Sequence, residues 1–260
     1  MARLYSLFSS SKGNATYIGT PQGGVLIDAG VSYRRLAQAM ERCGLAMSAI
    51  QGVFITHDHS DHVRGLKVLS EQLRVPIYGQ GKTLRNLIDH DAVSASAILQ
   101  EMNQTITLAD LALTAFVTPH DTVQSCGYRV QMSDGRICAV CTDLGHVTKT
   151  VEEALTGCDL VLLEANYDEQ MLRAGRYPPY VKKRILSNVG HLSNTDCAQQ
   201  VRKLIESGTT RLILGHLSQE NNRPALAEAA VANALSGLCR GRDYLLEVAK
   251  VETSGEMTVF

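Results

Sequence analysis

The chain has 260 residues, enough to bury a substantial core without disulfide or metal staples. Its 25 basic and 26 acidic residues give a formal net charge of -1, which argues against a broad cationic face but leaves room for a local basic patch. Seven cysteines without framework spacing count against a secreted disulfide scaffold, the opening "MARLYSLFSSSKGN" has no apolar run long enough for a signal sequence, and no later stretch approaches membrane length, so a cytoplasmic protein with no membrane partner is expected.

In chain order, "RLYSLF", "ATYIGT" and "VLIDAG" predict three short strands separated by turns at "SSSKGN" and "PQGG". "SYRRLAQAMERCGL" predicts a helix, because Leu36, Ala39, Met40 and Cys43 recur near helical spacing and Ser32 can act as its N-cap. "IQGVFIT" then predicts a buried strand, "VRGLKVLSEQL" a helix and "VPIYG" a strand. Residues 105–142 read as β-rich, with a hairpin turn at Ser133, Asp134 and Gly135. There follow a helix near 148–156, the strand "DLVLLEA", helices near 167–174 and 193–206, the strand "TRLILGH", a helix near 224–236 and closing strands to Phe260. Helices and strands alternate in each half, with hairpins interspersed. The expected fold is therefore α/β, an αββα sandwich of two mixed β-sheets with helices on the outer faces, in one domain spanning 1–260.

"FITHDHSDHVRGL" places His57, His59, Asp61 and His62 after an apolar run and before a helical pattern. Imidazole and carboxylate suit a divalent ion such as zinc, and so dense a run supplies several ligands only from a loop where side chains converge. His120 in "FVTPHD", Asp143 in "AVCTD" and His216 in "LILGH" also end apolar runs, so all would project at one rim of a sheet. The order His-X-His-X-Asp-His, then His, Asp and His, with Asp28 upstream in "VLIDAG", resembles the metallo-β-lactamase superfamily over nearly the whole chain. That resemblance implies two divalent ions, zinc or manganese with iron as a further candidate. His57, His59 and His120 would hold one ion, Asp61, His62 and His216 the other, and Asp143 would bridge them. Asp28 would orient a ligand.

The superfamily's metal pair hydrolyses lactams, thioesters and phosphodiesters in different members, so other residues must decide the substrate. Glu164 in "LVLLEANYDEQ" and His191 in "NVGHLSN" resemble the glutamate and histidine elements of the nuclease branch, RNase Z and RNase J, where the histidine lies by the scissile phosphate. With Asp61 they are the expected catalytic groups, although a strand-end surface acid and a histidine beside a helix cap are the plainer alternatives. Ser193 or Asn194 could cap the following helix, whose free N–H groups suit a phosphate oxygen. Ser11, Lys12 and Asn14 in "FSSSKGNATY" form a turn that could face phosphate or be a simple hairpin. Together with "TDLGHVT" and "GHLSN", this opening resembles the YycJ/WalJ-type branch, which implies 5′-to-3′ exonuclease action on DNA, more than on RNA, by a hydroxide held between the ions.

His146, three residues after Asp143, could reach substrate or lie on the surface. "CAVC" at 138–141 has no second cysteine pair, and residues three apart on a strand point to opposite faces, so two structural thiols are expected. Lys182, Lys183 and Arg184 could contact a phosphate backbone near the site. The competing readings are a thioester hydrolase of the glyoxalase II type, a persulfide dioxygenase with one iron and a non-catalytic regulatory protein of the same fold. "YLLEVAKVE" and "EMTVF" read as strands, against the helical ending of the glyoxalase II type.

Overall fold

The computed structural model describes residues 2–260. Strands β1 (Arg3–Ser10), β2 (Gly13–Thr20) and β3 (Gly23–Ile27) form an antiparallel meander that leads into helix α1 (Tyr33–Arg42). Next come β4 (Ile50–Phe54), α2 (Ser60–Val63), α3 (Leu66–Gln72), β5 (Pro76–Gly79), α4 (Gly81–Asp89) and β6 (Ile98–Glu101). The strands β3 to β6 run parallel.

The second half repeats this plan. Strands β7 (Ile106–Leu108), β8 (Leu111–Val117), β9 (Cys126–Met132) and β10 (Ile137–Cys141) form a meander. Helix α5 (Lys149–Leu155), β11 (Leu160–Glu164), α6 (Glu169–Ala174), α7 (Pro179–Ile185), α8 (Asn194–Glu206), β12 (Arg211–Gly215), α9 (Pro224–Ala234) and β13 (Leu245–Val248) follow. Here β10 to β13 are parallel, and β14 (Thr258–Val259) returns to pair with β1. Among the described residues this gives two seven-stranded mixed sheets, ordered β14-β1-β2-β3-β4-β5-β6 and β13-β12-β11-β10-β9-β8-β7.

Three apolar layers follow from the alternation of side chains across these strands. Leu4, Ile18, Val25, Ile27 and Phe54 of the first sheet meet Leu113, Tyr128, Val130, Val140, Leu160 and Ile213 of the second. Phe54 stacks on Tyr78 at 4.6 Å between ring centroids and meets Tyr128 edge-on at 5.6 Å. The buried Tyr128 hydroxyl donates to Ile55 O at 2.7 Å. Leu36 and Met40 of α1 cover the outer face of the first sheet with Leu66, Leu69, Leu84 and Leu87, while Val151, Leu155, Val201, Leu204 and Val231 cover the second. This is the expected αββα sandwich. Cys138 joins the central layer and Cys141 the outer one, both as free thiols, so "CAVC" is two core residues on opposite faces. No helix among the described residues is long and apolar enough to cross a membrane.

Local differences from the expected elements have identifiable causes. The first turn is only Ser11 and Lys12, because Ser9 pairs with Asn14 and Ser10 with Gly13 and so extend both strands. The helix expected over "VRGLKVLSEQL" is broken at Gly65, whose N–H donates to Ala29 O at 2.8 Å. A Cβ there would lie 2.0 Å from Val31 O, so only glycine permits the approach. Helix α7 lies between the expected helices, and Pro179 occupies its first turn, where a missing N–H is harmless.

Candidate metal centre

The chemistry-bearing residues converge at the C-terminal ends of the parallel strands, where both sheets open to one edge. Asp28 follows β3, His57 follows β4, Asp143 follows β10, Glu164 ends β11 and His216 follows β12. Asp28, Asp143 and His216 have φ of 62, 57 and 55°, three of the six non-glycine residues with positive φ among those described. That left-handed geometry costs a side-chain-bearing residue on the order of 1 kcal/mol or more, and it swings each side chain off the strand end.

Ligand atoms of His57, His59 and His120 lie within 4.8 Å of one another, as do those of Asp61, His62 and His216. A third set joins His57, His62 and Asp143, and a fourth joins Asp143, Glu164, His191 and His216, so Asp143 belongs to groups on both sides. His59 Nδ1 faces His120 Nε2 at 3.2 Å, near the separation of two nitrogens sharing a tetrahedral ion at about 2.0–2.1 Å.

The far nitrogen of each buried imidazole is already engaged. His62 Nδ1–H donates to Asp28 Oδ2 at 2.7 Å, His120 Nδ1–H to Gly190 O at 3.0 Å and His216 Nδ1–H to Glu164 Oε1 at 2.7 Å. The Thr56 hydroxyl donates to Asp28 Oδ2 at 2.8 Å, so its oxygen is left to accept from His57 Nδ1–H at 3.0 Å. Asp28 thereby accepts from Thr56 N–H, Thr56 Oγ1 and His62 together, fixing two imidazoles through one carboxylate.

Two of the inward nitrogens and one carboxylate oxygen lack such partners. His57 Nε2, His216 Nε2 and Asp143 Oδ2 are buried without a hydrogen bond; Asp143 Oδ2 lies 3.1 Å from His62 Nε2 but out of hydrogen-bonding geometry. Three orphaned buried polar atoms in neighbouring ligand-sized groups would be costly in a bare protein, and divalent ions are the group that satisfies them. The residues present therefore fit a divalent metal centre made of nitrogen and oxygen donors.

Its electrostatics are polarised. Burial pushes His57 well below the ordinary histidine range, with the His62 charge adding to it, and burial lowers His120 despite Asp143. Burial also works against protonated His62 and His216, but Asp28, Asp143 and Asp61 outweigh it at His62, which is raised well above normal. Asp143, Asp61 and Glu164 lift His216 to about 10. Burial favours the neutral form of Asp143, yet His216 and His62 hold it well below the usual carboxylate range. Ions entering this site would displace protons from His62 and His216.

Glu164 is fully buried and accepts four hydrogen bonds. Oε1 takes His191 Nδ1–H at 2.9 Å and His216 Nδ1–H at 2.7 Å, while Oε2 takes the N–H groups of Leu144 and Leu192, each at 3.0 Å. Burial raises its pKa, but His191 and the two histidine hydrogen bonds bring it down to about 2. His191 is more open than His120 and His216, with its ring 5.2 Å from that of His120 and 5.4 Å from that of His216.

Other expected substrate contacts sit differently. Asn14 is buried on β2 rather than exposed on a turn, with Nδ2 3.0 Å from His62 Nε2. Ser11 and Lys12 are exposed at the turn itself. Ser193 Oγ caps α8 by accepting from Asp196 N–H at 3.0 Å, and Asn194 pairs with Asn222, so both are buried and engaged within the fold. His146 is exposed, with Nδ1 3.0 Å from Asn188 O, outside the metal-sized groups.

Two residues went unnoticed in the sequence, and both lie in the motif itself. Thr56, the last polar residue before His57, links Asp28 to His57. Asp58, between His57 and His59, accepts from Thr122 Oγ1 and Asn86 Nδ2, tying the motif loop to the loop of His120 and to α4. A polar residue inside a ligand motif was the available signal.

A family model described as the β-lactamase superfamily domain matches residues 24–217. The chain is 33% identical over 232 residues to exodeoxyribonuclease YycJ of Bacillus anthracis, covering 88% of this chain and 87% of that protein. It is 33% identical over 261 residues to exodeoxyribonuclease WalJ of Streptococcus pneumoniae, covering 98% and 97%. Among solved structures, the metallo-β-lactamase fold protein YhfI from Bacillus subtilis superposes with a TM-score of 0.74 at 15% identity over 99% of this chain and 98% of that one, a likeness of fold alone.

Proposed function

Since the chain belongs to the metallo-β-lactamase superfamily, we propose that it is a metal-dependent phosphodiesterase of nucleic acid, working as a 5′-to-3′ exonuclease on DNA. The observation that carries this reading is the convergence of five histidines and two aspartates, with inward atoms of His57, Asp143 and His216 buried and unpartnered, joined to the Glu164–His191 pair. The two relatives named as exodeoxyribonucleases, matched over most of their length, support DNA as the substrate.

In this reading His57, His59 and His120 would hold one ion, and Asp61, His62 and His216 the second, with Asp143 available to both. A donor set of nitrogen and oxygen without cysteine suits zinc, manganese or iron. Bound there, two divalent ions supply Lewis acidity and make water a nucleophile near neutral pH. Asp28 and Thr56 keep His57 and His62 in the tautomers that present Nε2 inward. Glu164 acts through its two histidines, fixing His216 as a ligand and His191 as a donor. With Nδ1 held by Glu164, Nε2 of His191 is the ring nitrogen free to donate a proton to the departing alkoxide. The whole chain, 1–260, serves as one catalytic domain.

The test is digestion of end-labelled linear DNA and RNA, with and without a 5′-phosphate, by metal-reconstituted protein. Stepwise loss of label from the 5′ end of DNA is expected. His59→Ala should abolish metal binding and cleavage, while His191→Ala should retain both metals and slow turnover by about 100-fold or more. Absence of cleavage with zinc, manganese and iron alike would overturn the reading, and unchanged turnover in metal-loaded His191→Ala would remove that residue from the mechanism.

A further inference from the structure

Helix α7 stands beside the metal centre and is fastened to it at three points. Arg184 forms a bidentate ion pair with Asp121, the neighbour of His120. The segment leaving the helix supplies Gly190 O to His120 Nδ1 at 3.0 Å, and His191 N–H donates back to Ile185 O at 3.1 Å. What lies on α7 is therefore tied to the residues around the site.

The surface of this segment is unusual for a chain of net charge -1. From Gln170 to Thr195 there are five basic residues, Arg173, Arg176, Lys182, Lys183 and Arg184, and no acidic one. Tyr180 is 75% exposed, more than any other large hydrophobic side chain among the described residues. Tyr180 and Arg184 are four residues apart and share a helix face, about one 5.4 Å turn from one another. An open aromatic ring, with exposed Lys183 three residues on in the same helix and exposed Arg176 just before it in the chain, thus sits one turn from a guanidinium that reaches the loop of His120.

The geometry points to α7 as the docking platform for an unpaired nucleic-acid strand, with Tyr180 stacking on a base near the scissile phosphate and Lys183 and Arg176 holding the backbone. Stacking uses the ring face, which every base can meet, while the cations track phosphates without reading sequence. This inference rests on the reading of the protein as a nucleic-acid phosphodiesterase and adds how it engages its substrate. It assigns the preference to strands with unpaired ends, since a base inside a blunt duplex cannot reach Tyr180.

The experiment measures kcat and KM of the metal-loaded protein on single-stranded and blunt duplex DNA of equal length, and on bis(p-nitrophenyl) phosphate, a diester with no neighbouring nucleotides to dock. Tyr180→Ala should raise KM for the single strand about tenfold with kcat little changed, and Tyr180→Phe should restore it. Lys183→Ala should also raise KM and flatten its dependence on salt. Both alanine variants should match the wild type on the small diester. Equal KM values for wild type, Tyr180→Ala and Lys183→Ala on single-stranded DNA would overturn the platform while leaving the nuclease intact. A KM rise of the same size on duplex and single strand would overturn stacking on an unpaired base. A wild-type protein that cleaves the small diester but no nucleic acid would instead overturn the function proposed above, and the platform with it.

Discussion

Glu164 gathers His191 and His216 on one oxygen and two backbone N–H groups on the other, so its charge is set by the finished fold. Its pKa in the folded protein is about 2, against an ordinary value of 4.5. A depressed carboxylate contributes stability that is fully present above 4.5 and is lost as pH falls from there through about 2. Metal-free wild type should therefore lose thermal stability across that window, and Glu164→Gln should lose less; parallel melting profiles of the two would contradict this. The seven aspartates and histidines that converge at this edge could be picked out beforehand because the dense motif carrying His57, His59, Asp61 and His62 follows an apolar run, as do His120, Asp143 and His216 singly, a pattern that strand geometry turns into a common rim. Ser193 and Asn194 could not be sorted the same way. A polar residue before a helix looks alike whether it caps the helix or meets a ligand, and here both are held by Asp196 and Asn222.

Among the elements, the loops at the strand ends carry the chemistry and need bracing, since loops move more readily than the strands they join. Asp58 provides a brace between the motif loop, Thr122 beyond His120 and Asn86 on α4. Asp58→Ala should leave the fold intact and weaken metal affinity by about 10- to 100-fold, as loss of a group that orients ligands does. Competition with a chromophoric chelator measures it, and wild-type affinity in the variant would show that the loops hold without the tie. Most strands and longer helices were legible because their apolar residues recur with period 2 or 3.6. An exception was set by contacts remote in sequence: Gly65 ends a helical run because Ala29 and Val31 crowd it.

For the molecule as a whole, the two sheets are joined by the central apolar layer, with Phe54 between Tyr78 and Tyr128. Phe54→Ala should destabilise the protein by about 3–5 kcal/mol, from lost burial and the cavity left behind, read as a shift in urea midpoint. A shift corresponding to less than about 1 kcal/mol would mean that the layer collapses around the gap. The sandwich could be inferred from hairpins mixed with alternating helices, but the pairing of β14 with β1 could not, because two strands at opposite ends of a chain carry no local sign of their partnership. The placement of the metal centre on the seam also orders events in time. A chain growing from its N-terminus presents His57, His59, Asp61 and His62 early, yet Asp143 and His216 arrive with the other sheet, after β10 and β12 are laid side by side with β11. Non-local closure of this kind is the slow part of folding. The full set of converging donors is thus a record that both sheets have met, and a half-made chain has no complete cage to offer a metal.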